Sequence, residues 1–131
     1  MTVRVGEYRV RYRDVYSAGV VLNSRYLDIC DIAFTEFFRT VGLAPADLAA
    51  LPFDGALAHM DATFLASAKV DDVLTLDVTC DHVGRTSVVL TFTMACAGTD
   101  VFRGTARYVN IDGQARPTPV PEVVRAALIT G

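Results

Sequence analysis

Residues 14–26 bring together most of the groups in this chain that could do chemistry: Asp14-Val15-Tyr16-Ser17-Ala18-Gly19-Val20-Val21-Leu22-Asn23-Ser24-Arg25-Tyr26. The pattern places a strand end, a turn at Ser17-Ala18-Gly19 and the start of a long helix within this stretch. A helix start exposes about four unpaired backbone N–H groups and the positive end of the macrodipole. Such a place binds an anion or a developing oxyanion with backbone alone. The amides around Leu22, Asn23 and Ser24 are the candidates here, and either Asn23 or Ser24 could also cap the helix. A second polar group is His59, Asp61 and Thr63, which alternate along one strand and therefore share a side. Such a row could line a cleft. Ser67 and Ser87 lack the surroundings of an activated nucleophile.

The elements that must position these groups follow from periodicity. Residues 7–15 alternate, with Tyr8, Val10 and Tyr12 on one face and Glu7, Arg9, Arg11 and Arg13 on the other, which predicts a half-buried strand. Residues 24–41 read as a helix whose apolar positions cover well over half its circumference, so it is expected to be wrapped by other structure. Asp28, Asp31, Thr35, Glu36 and Arg39 form its polar stripe. Gly42 is a natural stop. Residues 44–51 make a short helix or loop. Four strands then follow, at 56–66, 72–83, 86–97 and 101–111, with a hairpin at Gly84-Arg85. A short helix over 121–128 ends the chain. One amphipathic sheet curled around one hydrophobic helix satisfies both apolar surfaces. The expected class is therefore α+β with the hotdog arrangement, in one domain over 1–131. Its half-open sheet is expected to pair with a second copy, giving a homodimer or homotetramer.

Composition narrows the function classes. The chain has 131 residues, 52% of them hydrophobic, and a formal net charge of −3. No global basic field argues for nucleic acid. The apolar residues are dispersed, no run reaches the ~18 needed for a membrane span, and the N-terminal residues lack a signal-peptide apolar segment. These features point to a cytoplasmic protein with no membrane partner. Cys30, Cys80 and Cys96 match no zinc or redox spacing and read as buried, reduced thiols. No phosphate-binding glycine loop or His/carboxylate cluster suggests a nucleotide cofactor or a metal.

The same residues resemble the hotdog-fold acyl-CoA thioesterases of the 4-hydroxybenzoyl-CoA thioesterase type. The likeness rests on Arg13-Asp14-Val15, Gly19 and Asn23-Ser24-Arg25-Tyr26-Leu27. It continues through Thr35-Glu36-Phe37-Phe38, Phe64 to Ala68 with Asp71-Asp72-Val73-Leu74, Gly84-Arg85-Thr86-Ser87 and the proline-rich exit at 116–121. The resemblance implies hydrolysis of an acyl thioester, with coenzyme A or phosphopantetheine entering as part of the substrate and no separate cofactor. It also exposes a departure. The family usually carries a carboxylate two residues after the position of Asp14, and here that position is Tyr16; the His often found after the turn glycine is Val20. A neutral phenol, with a pKa near ~10, cannot replace a carboxylate as base at neutral pH.

The expected catalytic group is therefore Tyr16 as a hydrogen-bond donor, Asn23 holding an attacking water, the Ser24 amide on the carbonyl, and a replacement base on the central helix, for which Asp31 and Glu36 are the candidates and Asp31 is taken. Expected substrate contacts are Gly19, Leu22, Tyr26, His59 and, toward a phosphate of coenzyme A, Arg85. The hotdog thioesterases of enediyne polyketide pathways also lack the usual acid, although Phe34 stands where they carry Arg. Two other readings stay open: a non-catalytic acyl-thioester binding protein, and a dehydratase or isomerase acting on a carrier-bound chain through His59.

Overall fold

A computed structural model describes residues 2–130. Strand β1 (Thr2–Arg9) leads through a single 3-10 turn (Tyr12–Asp14) to helix α1 (Asn23–Thr40). The short α2 (Pro45–Ala49) follows, then β2 (Gly55–Phe64), β3 (Val73–Val83), β4 (Ser87–Cys96), β5 (Thr99–Asn110) and helix α3 (Glu122–Thr130). The strands form one antiparallel sheet in the order β1-β3-β4-β5-β2. The α+β hotdog class expected from the sequence is the class observed. Among the described residues no helix is long and apolar enough to cross a membrane.

Alternation along the strands builds the core. Leu74, Leu76 and Val78 of β3, Val88, Leu90, Phe92 and Met94 of β4, and Phe102, Ala106 and Tyr108 of β5 are all buried. They face Tyr26, Ile29, Cys30, Ala33, Phe37 and Phe38 of α1, also buried. Tyr26 stacks on Phe102 with ring centroids 5.2 Å apart, and Phe34 meets Tyr108 at 4.7 Å. These two contacts set the direction of α1: its start lies at the Phe102 end of the sheet and its later turns at the Tyr108 end.

Three expectations are corrected. The first strand ends at Arg9 rather than at residue 15, because its ladder with β3 stops at Arg9 opposite Val73. Val10 stays buried, but Tyr12 is 86% exposed, since the Arg11 N–H donates to the Asp14 carboxylate at 2.8 Å and closes the 3-10 turn. Secondly, α1 is not wrapped all round. Leu27 and Ile32 are 43% and 42% exposed, because a five-stranded sheet covers only one side of a helix. Thirdly, of the three free cysteines only Cys30 is buried; Cys80 and Cys96 are half-buried at the sheet. Burial pushes the Cys30 thiol up to about 12, helped by Asp31. The first strand also begins earlier, at Thr2 rather than residue 7, and the bounds of the other four strands differ from the pattern by at most two residues.

Asn110 holds the end of the sheet opposite the α1 start. Its side chain is buried, accepts from the Asp54 N–H at 2.7 Å, and donates to the Pro52 and Pro119 carbonyls at 3.1 and 3.0 Å. Three backbone groups from two irregular segments, 52–54 and 119, are thus satisfied by one amide. Asn110→Leu leaves all three backbone groups unpaired. We expect it to lower unfolding stability by about 2–4 kcal/mol, measured as a reduced urea midpoint at unchanged slope.

Candidate active site

The segment between the 3-10 turn and α1 is fixed by backbone bonds. Val15 bridges Val21, and Val20 bridges Lys69. The Val21 N–H donates to the Ala68 carbonyl at 2.9 Å, and the Leu22 N–H to the Asp14 carbonyl at 2.9 Å. Gly19 turns the chain at φ +81°, a left-handed value that glycine adopts without strain, and its N–H donates to the Tyr16 carbonyl at 2.7 Å. Gly19 serves the turn and is exposed.

The helix starts one residue earlier than expected, and its cap is different. Leu22 is the N-cap, with no side-chain cap bond. Its carbonyl accepts from the Arg25 N–H at 2.9 Å. The amides of Asn23 and Ser24 have no hydrogen-bond partner among the described residues. Neither the Asn23 nor the Ser24 side chain caps, so both remain open to the surface.

Two clefts meet at this helix start. The first, ≈ 350 Å³, is lined by Tyr16, Val20, Asn23, Tyr26, Phe64 and Ser67 among others. The second, ≈ 300 Å³, is lined by Asn23, Ser24, Leu27, Leu57, Met60 and Phe64, and is almost wholly apolar. Asn23 and Phe64 belong to both. Tyr26 is buried; burial holds its phenol above the ordinary value, against the Ala68 amide, which favours the phenolate. It is therefore neutral at physiological pH. Tyr16 is 47% exposed and uses only its backbone locally. Asp31 lies seven residues beyond Ser24, hence on the same helix face about 10.5 Å further along. Burial and then the neighbouring Asp28 push its carboxyl up.

The structure thus gathers Tyr16, Leu22, Asn23, Ser24 and Tyr26, with Asp31 two turns away on the same face. It does not bring His59 or Arg85 to them. A bulge between Leu57 and His59 turns Leu57 to the side shared by Met60 and Phe64. His59 and Asp61, 3.3 Å apart, project from the opposite, outer face. The polar row exists but lines no part of either cleft. Arg85 sits in the β3–β4 hairpin, where Asn110 pairs with Thr86. Asn110 is eight residues along β5 from Phe102, about 27 Å away by strand rise.

Sequence reasoning gave no role to the group that organises this site. Asp14 is buried. Its Oδ2 accepts from the Tyr8 hydroxyl at 2.7 Å and the Arg11 N–H at 2.8 Å; its Oδ1 accepts from Arg25 Nε at 3.2 Å and forms an ion pair with Nη2 at 3.2 Å. Burial alone would raise the carboxyl, but the Arg11 amide, the Tyr8 hydroxyl and Arg25 together hold it below its usual range. Arg25 also reaches Asp28 at 3.0 Å. The available signal was an acid and an arginine flanking one turn, eleven residues apart. Phe64, at the end of β2, was likewise missed as a cleft wall.

The profile of the Thioesterase-like superfamily matches residues 10–128. The acyl-CoA thioesterase YbgC of Haemophilus influenzae is 27% identical over 123 residues, covering 91% of this chain and 89% of that protein. The 1,4-dihydroxy-2-naphthoyl-CoA hydrolase of a Synechococcus species is 29% identical over 122 residues, covering 88% and 93%. A thioesterase of Thermus thermophilus solved with coenzyme A and Zn superposes with a TM-score of 0.82 at 26% identity, covering 98% of this chain and 91% of that one.

The Asp14 environment predicts a pH dependence. A carboxyl whose folded pKa is depressed contributes its full stabilisation above the unfolded value, about 4, and loses it as the pH falls through the folded value. Urea denaturation between about pH 7 and pH 2 is expected to show the native protein losing stability on acidification. Asp14→Asn, less stable at neutral pH, is expected to lose less over the same range.

Proposed function

This chain belongs to the thioesterase-like superfamily, and from that premise we propose that it hydrolyses an acyl thioester carried on coenzyme A or on an acyl carrier protein. The observation that carries the reading is the uncapped start of α1, opening into two adjoining clefts. A thioester carbonyl oxygen placed there accepts from the Asn23 and Ser24 amides, and donors of this kind are worth about 3–4 kcal/mol each in a dry site. The Asn23 side chain orients a water, and the Tyr16 hydroxyl donates to substrate. Water attacks the carbonyl carbon, the C–S bond breaks, and the thiolate takes up a proton, leaving a carboxylic acid and a free thiol.

The proton acceptor is the open part of this mechanism. Asp14 has both oxygens engaged by donors and is not available. Asp31 is exposed, but partial burial and then the neighbouring Asp28 hold its carboxyl above the ordinary value, which favours its accepting a proton. It lies too far along α1 to act at its own helix start. A homodimer in which the β2 edges of two copies meet would cover Leu57 and Phe64, which are 53% and 45% exposed, and would bring the Asp31 of one copy toward the site of the other.

The second reading, an acyl-thioester binding protein without turnover, is favoured by one feature: no carboxylate lines the first cleft, and Tyr16 stands where the family usually carries one. The dehydratase reading loses its histidine, since His59 faces away. The test is thiol release from short, long and aromatic acyl thioesters on coenzyme A and on carrier protein, for the native protein and for Tyr16→Asp. We expect turnover by the native protein and a gain of about 10²-fold in Tyr16→Asp. Turnover by Tyr16→Asp alone would establish the binding-protein reading, and inertness of both proteins on every substrate would sink hydrolysis.

A further inference from the structure

We propose that Asp14 is the positioning residue of this site: it fixes the backbone of the N-cap and the first-turn Arg25 while leaving the uncapped Asn23 and Ser24 amides open to the ligand oxygen. The inference rests on the reading of the helix start given above. An N-cap side chain ordinarily accepts from the second or third helical amide and so occupies the donors that a ligand would need. Leu22 cannot do this. Arg25, in the first turn, adds its charge to the positive end of the helix, and the Asp14 carboxylate 3.2 Å away neutralises that arginine and holds it in place. The Asp14 carbonyl receives the Leu22 N–H at 2.9 Å, so the same residue fixes both the N-cap backbone and the first-turn side chain.

The carboxylate is itself immobilised from three directions, by β1 through Tyr8, by the 3-10 turn through the Arg11 amide and by α1 through Arg25. Each of these partners is a donor. An aspartate meets them with acceptors only, whereas the amide of an asparagine would turn an N–H toward one of them. Asp14→Asn therefore keeps the shape and spoils the match, which shifts the start of α1 relative to Val20 and Val21. Asp14 touches no ligand and performs no proton transfer; it sets where the donors stand.

The probe is an acyl-CoA analogue in which a methylene replaces the thioester sulfur, so that the carbonyl binds without hydrolysis. Isotope-edited infrared spectra report the carbonyl stretch of the bound analogue, and thiol release on the true substrate gives kcat and KM. In the native protein the stretch is expected to move to lower frequency on binding. In Asp14→Asn that movement shrinks, and kcat falls about 10²-fold with KM little changed, as for a small misplacement of reacting groups. Asn110→Leu, destabilised but remote from the site, keeps the native frequency. If Asp14→Asn does not fold, Arg25→Lys carries the test, with the same reduced movement expected. A native frequency in a folded Asp14→Asn, or in Arg25→Lys where that variant stands in, overturns the positioning role and leaves the proposed function intact. Failure of the native protein to bind the analogue or shift its carbonyl overturns the reading of the helix start, and the positioning role with it.

Discussion

A buried carboxylate surrounded by donors is the constraint on which the rest of this structure depends. Removing the Asp14 charge from water is costly unless hydrogen bonds and an opposite charge replace its hydration. The chain supplies them from three segments: a phenol on β1, a backbone amide in the following turn and a guanidinium on α1. To bring these together, β1 must stop at Arg9, the chain must wind through a 3-10 turn, and α1 must enter at a fixed angle and start at Asn23. The strand end, the turn and the helix start are one interaction seen from three sides.

The opposite wall of the site is fixed by aromatic packing. Gly104 lies beneath Phe102; a Cβ there would stand 2.9 Å from Phe102 Cζ and 2.9 Å from Met60 Cε, closer than such atoms approach. Its missing side chain lets the Phe102 ring lie flat, and Tyr26 stacks on that ring at an interplanar angle of 5°. Phe64 packs against both, with centroids at 5.7 and 5.6 Å. Phe64, the apolar wall common to both clefts, thus leans on two rings that belong to the hydrophobic core, and its place is set by that packing.

Much of this was legible in the sequence, for identifiable reasons. A helix period over residues 24–41 and strand periods after it report burial directly, so α1 and the later strands lie where the pattern put them. The pattern failed where a tertiary interaction overrode it. Tyr12 continues the alternation of Tyr8 and Val10 yet points to solvent, because the Asp14 carboxylate closes a turn before the alternation can continue. The wide apolar surface of α1 suggested full enclosure, but a helix can also be apolar at an open edge, as Leu27 is beside the second cleft. His59 and Arg85 were misplaced for a topological reason. Only the bulge in β2 and the β1-β3-β4-β5-β2 order reveal that one faces outward and the other stands at the far end of the sheet. The cap was misread because Asn and Ser are favoured cap residues, and spacing cannot show that the helix starts at Asn23 itself, with Leu22 as an N-cap that makes no side-chain bond.

Position 16 illustrates what such an arrangement means for inheritance. Tyr16 meets its surroundings through the main chain, its N–H donating to the Val20 carbonyl and its own carbonyl accepting from Gly19, while its side chain is half in solvent. Any L-residue other than proline keeps those bonds, so the fold exerts little selection on which side chain stands there. Tyrosine and aspartate codons differ by a single base. A lineage carrying this scaffold can therefore gain or lose an acid at the mouth of the cleft in one mutational step, with the architecture neither resisting nor recording the change.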